Sequence, residues 1–297
     1  MVEFFASRAD AWVTMIWKPH TIAAIAFLCL LLLIDLARRG WQFSWSRRIV
    51  AGILATLAIF HFNFLFAPLV WLCWDRIKQL YALLGIPSVP TAFWADVPVW
   101  ALVPFAIIVH DFANYWNHRL MHRPLLWPVH AIHHSDPDVT GLTTYRIHML
   151  EGLVMWTSYT VLLSWLGLPQ DAIGLGAVFV ILHNIYVHVN VDWDHGPLRL
   201  LIASPRFHRW HHADVAEAHG KNLANVLPLW DWMFGTYYCP GPCRERMGAA
   251  GVPENDVVKL ILWPWQEWTR MALVRVRSLA ANLTVRRPQG EATDARG

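Results

Sequence analysis

Long apolar runs separated by short polar segments dominate the first two thirds of the chain. Crossing the hydrocarbon core of a bilayer takes about 20 apolar residues. Five runs approach that length: residues 20–37, 49–74, 97–116, 150–168 and 172–189. The second run is interrupted by His61 and Asn63, and the last two are separated only by GLPQD, which predicts a tight helical hairpin. The pattern predicts an all-α, multi-pass transmembrane helical bundle of about four to five spans.

Composition agrees with a membrane protein. Only 15% of the 297 residues are charged, against about 25% in ordinary soluble domains. The net charge of +3 is too small to indicate a nucleic-acid partner. Glu3, Arg8 and Asp10 precede the first apolar run, and no early cleavage site of small residues follows it. We therefore expect the first run to be a retained membrane segment and not a cleaved signal peptide.

Basic residues predict the orientation of the bundle. The segment RRGWQFSWSRR between the first two runs carries four arginines, which assigns this loop to the cytoplasm. Alternating from there, the third run and the hairpin both return the chain to the cytoplasmic side. We expect an integral protein of the bacterial inner membrane. The polar stretch 190–256 is then a cytosolic helical cap.

The domain organisation follows from these patterns. Residues 1–19 form an N-terminal segment, 20–240 the membrane-embedded domain, 241–283 a C-terminal amphipathic segment and 284–297 a disordered tail. The amphipathic segment is predicted to be an interfacial helix broken at Pro264, with a helix packed on the cap as the alternative. Cys239 and Cys243 flank PGP and are interpreted as thiols beside a turn, although a disulfide or a metal clasp would fit the same spacing.

Histidines carry the candidate chemistry, because eight of the 16 fall into three short clusters. His118 and His122 are four residues apart and share a helix face. HAIHH and HRWHH repeat one i, i+3, i+4 spacing and supply His130, His133, His134, His208, His211 and His212. Neutral imidazole binds Fe, Zn, Cu and Ni, and eight rings are too many for one ion but suit two.

Asp111 lies on the same helical stripe as Tyr115, His118 and His122. A carboxylate that accepts the second ring N–H of a ligating histidine fixes its tautomer. We predict this role for Asp111.

The order and flanks of these clusters resemble the fatty acid hydroxylase / sterol desaturase superfamily over about residues 105–240. The resemblance rests on DFANYWNHRLMHRPLLWPVHAIHHS, on TTYRIHMLE with Arg146, His148 and Glu151, and on HVNVDWDHGPLRLLIASPRFHRWHH with the following KNLANVLPLWDWMFGTYY. It implies that His188 is a ninth ligand. His183 is a weaker candidate, turned about 140° away on a helix, and we expect it to be a hydrogen-bonded helix histidine.

The same resemblance implies a catalytic centre of two iron ions that uses O₂ as co-substrate. The expected reaction hydroxylates or desaturates a membrane lipid: a fatty acyl chain, a sterol or an ether lipid. A separate electron donor, such as a cytochrome b5-like protein or a ferredoxin, must supply the electrons. Arg206, Arg209 and Arg246 are candidate docking residues, although the positive-inside pattern explains them equally well. Met149 replaces the family's proline and Asn222-Leu223-Ala224 replaces Asn-Tyr-Gly, which affects the expected shape of the substrate pocket.

Three other classes of protein remain as alternatives. One is a zinc-dependent membrane lipid-modifying hydrolase, and zinc is also a possible adventitious occupant of an iron site. A divalent-metal transporter would need ligands near mid-span, where the early runs offer only His61 and Asn63. A b-type haem protein would need histidine pairs on facing helices in mid-membrane. His20, His61, His110, His195 and His219 are interpreted as non-ligands.

Overall fold

The structure is a computed structural model that describes residues 14, 17–39 and 46–285. The described part is helical and contains no β-strand, apart from an isolated bridge between Ala213 and Met247. Its α-helices are α1 (Pro19–Arg39), α2 (Arg47–Leu83), α3 (Val99–Met121), α4 (Trp127–His134), α5 (Met149–Trp165), α6 (Gln170–Val187), α7 (Pro205–His212), α8 (Leu229–Met233) and α9 (Val257–Val285). The all-helical class expected from the apolar runs is confirmed.

The long helices form a bundle around α3, which packs against α5 and α6, while α2 packs on α5 and α1 on α6. Gly176 of α6 faces α3, where a Cβ would lie at an ordinary van der Waals distance of 3.5 Å from the Cβ of Ala106. Two stretches in the described residues are long and apolar enough to cross a bilayer: Arg47–Phe66 within α2, and α6. The apolar part of α1, Thr21–Asp35, is shorter. A bundle of four to five spans therefore stays a prediction.

The predicted hairpin between α5 and α6 turns at Gly167, whose φ is +62°. Only glycine adopts this conformation freely. A Cβ at this position would lie 2.0 Å from the carbonyl oxygen of Val89. The hairpin is fastened to the loop between α2 and α3: Val89 N donates to Trp165 O at 2.9 Å, and Trp94 Nε1 donates to Leu166 O at 2.8 Å. These two loops therefore lie at the same end of the bundle.

The other end of the bundle carries the short helices and the start of α9. Leu260 of α9 is fully buried against Ile59 of α2 and Ala131 and Ile132 of α4. The predicted break at Pro264 is wrong, because α9 runs without interruption from Val257 to Val285. A proline removes one helical hydrogen bond, and contacts on both sides of it hold α9 together: Leu260 before it, and Trp268 after it, whose Nε1 donates to Leu125 O at 2.7 Å.

Two of the predicted segments fall largely outside the described residues. Most of the N-terminal segment 1–19 and residues 286–297 of the predicted tail lie there. Residues 284 and 285, assigned to that tail, belong to α9.

Candidate metal centre

Four elements bring all nine predicted histidines together at one end of the bundle. The end of α3 supplies His118 and the adjoining His122, the residue after α6 supplies His188, and α4 and α7 supply three rings each. The rings form two groups, in each of which the ligand atoms lie within 4.8 Å of one another. The five-histidine group contains His118, His122, His130, His134 and His211; the four-histidine group contains His133, His188, His208 and His212.

The repeated HxxHH spacing divides its rings between the groups. In α4, His130 and His134 join the five-histidine group, whereas His133 joins the other. In α7 the division is reversed, because His208 and His212 join the four-histidine group and His211 joins the five-histidine group. Each short helix thus contributes to both groups. Two nitrogens that bind one ion at about 2.1 Å lie at most about 4.2 Å apart, so each group is close to the size that a single ion needs.

Backbone carbonyls orient three of the rings. The Nδ1 atoms of His118, His188 and His211 lie 2.7, 2.7 and 2.8 Å from the carbonyl oxygens of Leu223, Asn184 and Lys221. A carbonyl oxygen only accepts, so Nδ1 carries the proton in each ring. In a neutral imidazole, Nε2 is then an unprotonated lone pair, which is the form that binds a metal.

Glu151 orients a fourth ring. Its Oε1 lies 2.8 Å from Nδ1 of His130, and both side chains are buried. The Nε2 lone pair of His130 therefore faces that of His118 at 2.9 Å. In the other group, Nε2 of His188 lies 2.9 Å from Nε2 of His208. Lone pairs held face to face repel each other unless they share a cation, so this donor set fits bound metal.

Burial keeps the other rings neutral. It is the largest cause that lowers the pKa of His133, His208 and His212 well below the usual value, and the neighbouring imidazoles add to the effect. The Nε2 atoms of His122, His134 and His211 are buried and have no hydrogen-bond partner in the described part of the chain. An unpaired buried polar atom costs about 1–3 kcal/mol, and a metal ion would remove this cost.

Asp111 does not contact a histidine, which corrects the predicted hydrogen bond to a ring. Its carboxylate accepts the backbone N–H groups of Asn225, Val226 and Leu227 at 3.2, 2.8 and 2.8 Å, and Nε1 of Trp230 at 3.1 Å. The reason is geometric: seven residues of helix separate Asp111 from His118 by about 10 Å along the axis. Glu151, which sequence reasoning noted only within a motif, makes the kind of contact predicted for Asp111.

Segment 221–227 forms a rigid support for the five-histidine group. Asp231 accepts the N–H groups of Leu223 and Ala224, each at 2.7 Å, and Asp111 holds the next three residues. Asn222 has a φ of +55°, and its side chain bonds the backbone of Phe207 and Tyr238. The carbonyls of Lys221 and Leu223 are thereby fixed to receive His211 and His118. The only sign of this support in the sequence was Asn222 itself, because asparagine is one of the few residue types that readily adopt a positive φ.

The remaining histidines with described side chains lie outside both groups. His183 is buried and stacks on Phe179, with ring centroids 5.9 Å apart. Neither of its ring nitrogens reaches full hydrogen-bonding geometry, although the backbone groups of Ala203 and Asn225 are close enough to interact with the ring. The ring of His110 packs against that of Tyr159 in a tilted arrangement, with a centroid distance of 4.0 Å. The other four rings each have a polar partner elsewhere: His61 contacts Leu57, His148 contacts Ile261, His195 contacts Tyr186, and His219 contacts Asp214. The side chain of His20 lies outside the described residues.

Cys239 is half-buried and Cys243 is buried, and both are free thiols.

Comparison with known proteins identifies the family. The fatty acid hydroxylase family model matches residues 103–236. An ornithine lipid hydroxylase, OlsE, of Rhizobium tropici is 31% identical over 61% of this chain and 56% of its own length. An alkylglycerol monooxygenase of Homo sapiens is 30% identical over 64% of this chain and 39% of its own. Methylsterol monooxygenase 2-2 of Arabidopsis thaliana is 29% identical over 50% of this chain and 56% of its own.

The chain spans about half the length of the curated relatives it matches. No solved structure matches it. The family match covers α3 to the end of α8 and so includes both histidine groups. Within this chain, residues 103–236 match the fatty acid hydroxylase family, and the relatives place this matched part in the fatty acid hydroxylase / sterol desaturase superfamily.

Proposed function

We propose that this protein is an integral-membrane, O₂-dependent oxidoreductase that uses two iron ions to hydroxylate or desaturate a lipid. The observation that carries the proposal is the pair of histidine groups, with oriented lone pairs facing one another inside each. The five-histidine group would hold one ion and the four-histidine group the other. Imidazole is a ligand that suits iron.

Bound iron would supply the O₂ activation that breaks an unactivated C–H bond, which no side chain can perform. The chain's own contribution is to position the histidine rings and to exclude water. Glu151 and three carbonyls hold the rings at fixed tautomers, and segment 221–227 holds two of those carbonyls. Eight of the nine rings are buried, which keeps water from the reacting centre.

A lipid substrate is supported by the relatives and by the surface of the bundle. The names of the three relatives specify an ornithine lipid, an alkylglycerol and a methylsterol, and each names a hydroxylase or monooxygenase. These names favour hydroxylation over desaturation. In the two candidate spans only 28% and 33% of the residues are buried, and apolar side chains such as Leu54, Leu175 and Ile181 are exposed and free to face lipid.

Aromatic side chains support a membrane position for α3, although its composition alone does not. Trp100 and Trp116 are exposed near its two ends. Sixteen residues of helix separate them by about 24 Å, close to the hydrocarbon thickness of about 30 Å. Tryptophan is enriched at both membrane–water interfaces. The histidine groups would then lie just beyond one interface, where a lipid can reach them sideways.

Metal analysis and lipid analysis together test the proposal. The chain is purified from cells grown with added iron and from cells grown without it, and lipid extracts are compared with those of a His133→Ala strain. We expect about two iron ions per chain, and products heavier by one oxygen or lighter by two hydrogens that the variant strain lacks. A protein that carries zinc under both conditions and yields lipid hydrolysis products would instead be the zinc hydrolase.

A further inference from the structure

On one side, the five-histidine group lies close to the protein surface. His122 is half-buried, whereas the other eight histidines are buried. Next to it, the half-buried ring of Trp127 lies 5.2 Å from the rings of both His122 and His134, centroid to centroid, and 6.3 Å from that of His130. One indole therefore contacts three rings of the group and also reaches the surface beside Arg123, Pro124 and Leu125, which are exposed.

Three cations surround this side of the group. Arg119 directly follows His118, and its Nη1 donates to the hydroxyl oxygen of Tyr115 at 2.8 Å and to Phe234 O at 3.3 Å. Nζ of Lys221 donates to the next carbonyl, Gly235 O, at 3.4 Å, and the carbonyl of Lys221 receives His211. Arg123 directly follows His122. Each cation is thus one residue or one hydrogen bond away from a histidine of the five-histidine group.

The cations near the four-histidine group are engaged within the protein. Arg206 bonds Asp192 and Asp194, each at 2.9 Å. Arg209 is half-buried and donates to Asn190 and to the carbonyl of Cys243. Arg246 pairs with Glu254 at 3.6 Å. All three arginines that the sequence offered as docking residues therefore have partners within the protein. On the Trp127 side, Arg123 is exposed, and the bonds of Arg119 and Lys221 go to uncharged oxygens, so these three cations are not neutralised by a carboxylate among the described residues.

We propose that an acidic one-electron carrier protein docks at the face formed by Trp127, Arg119, Arg123 and Lys221, and that electrons enter through Trp127 at the five-histidine group. This inference rests on the proposed function. In a hydroxylation, one C–H bond and the O–O bond break, and one C–O bond and one O–H bond form in the product. The second oxygen atom of O₂ leaves as water after taking up two electrons and two protons. Two molecules of reduced carrier each supply one electron and are oxidised.

Electrostatics explains why a carrier would select this face. Complementary charge accelerates encounter by about 10- to 1,000-fold at low salt, and the gain falls as salt rises. Interfaces of electron-carrier proteins are small and weak, so three cations around one aromatic ring are sufficient. The cations could instead bind the phosphate of a lipid headgroup, but that role gives no reason for an indole in contact with three of the rings.

The test follows reduction of the full-length, iron-loaded enzyme by stopped flow. Two acidic probes, a reduced [2Fe–2S] ferredoxin and the reduced soluble domain of cytochrome b5, are compared with dithionite. We expect Arg123→Glu to slow oxidation of at least one probe about tenfold at low salt and to weaken binding of that probe to iron-loaded and iron-free enzyme in biolayer interferometry. Trp127→Leu should keep binding and slow electron transfer. Arg246→Glu, an exposed arginine paired with Glu254, is the matched control and should change neither.

The outcomes separate the two proposals. If dithionite neither reduces the wild-type enzyme nor supports turnover, the proposed function fails. If dithionite works but neither probe is oxidised, or if Arg123→Glu and Arg246→Glu behave alike, the docking face is overturned. It is also overturned if Arg123→Glu raises the KM for lipid while probe oxidation is unchanged, since the cations then serve the substrate.

Discussion

A histidine can offer one nitrogen to a metal only when its other nitrogen holds the proton, so the acceptors behind the rings determine the site. Four of the nine rings have such an acceptor at Nδ1: three carbonyls and the carboxylate of Glu151. The carbonyls belong to the backbone and persist through most substitutions. Glu151 is a side chain, and it can be removed.

Replacing Glu151 with Ala should lower iron affinity and turnover by about 10- to 100-fold, the usual effect of losing a partner behind a ligating histidine. The reason is that His130 loses the acceptor that fixes its tautomer. Iron per chain and product formation are the measurements. Glu151→Gln keeps an acceptor oxygen at that position and should recover most of the loss. Full iron content and full rate in the Ala variant would show that His130 needs no such partner.

Local spacing in the sequence was sufficient to find the candidate metal ligands, but it did not reveal the hydrogen-bond acceptors that orient them. The i, i+3 and i+4 patterns depend on helix geometry alone, and eight histidines were predicted from them; the family resemblance added His188. The partner of His130 could not be found in this way, because Glu151 lies 21 residues further along on another helix. Asp111 was chosen because it shares a helix face with His118, yet distance along that helix decides the contact.

At the scale of elements, turns and apolar runs predicted the bundle well. GLPQD predicted the α5–α6 hairpin, and the structure adds the reason for its glycine, since the backbone of Val89 leaves no space for a side chain. Pro264 was misleading, because a proline residue limits only its own turn while packing on both sides maintains the helix. That packing depends on α4 and on the Leu125 loop, which are distant in sequence.

Helix α9 has two apolar faces, of which the protein covers one. Leu260 is buried, whereas Val258, Leu262, Trp265, Leu273 and Val276 are exposed. The exposed residues recur at intervals of three, four and eight, so they form one stripe along the helix. Arg270, Arg275 and Arg277 lie beside the stripe in the second half. A helix with an apolar stripe and flanking cations suits the surface of an anionic bilayer.

Spin labels at Val276 and Ser278 would test this position for α9. The two residues lie about 200° apart around the helix. With the native cysteines replaced by serine and the full chain in bilayers, a label at 276 should collide more with O₂, which concentrates in lipid, and a label at 278 more with a water-soluble nickel chelate. Equal access of the nickel chelate to both labels would mean that the second half of α9 stands in water.

At the scale of the whole molecule, the alternation of ends predicted by counting the apolar runs agrees with contacts between distant segments, whereas the side of the membrane assigned from four arginines stays a prediction. Counting loops assigned the α2–α3 loop and the α5–α6 hairpin to one side, and hydrogen bonds from Val89 and Trp94 join them. The same counting assigned the three histidine clusters to the other side, where the rings meet. Counting the apolar runs was sufficient to predict which loops share an end of the bundle. Which ring belongs to which group was not predictable, because the division depends on how α4 and α7 face each other.

The sidedness itself can be measured with cysteines that replace exposed residues in intact cells. Asp96 lies in the α2–α3 loop, and Gln170 is the first residue of α6, next to the hairpin turn. Glu217 and Glu245 lie beyond the histidine groups. Since the arginine-rich loop should stay in the cytoplasm, a membrane-impermeant maleimide should label Asp96→Cys and Gln170→Cys from outside. It should label Glu217→Cys and Glu245→Cys only after permeabilisation. The reverse pattern would put the histidines outside the cell, away from any cytosolic electron carrier, and labelling of all four would mean that the bundle does not cross the membrane.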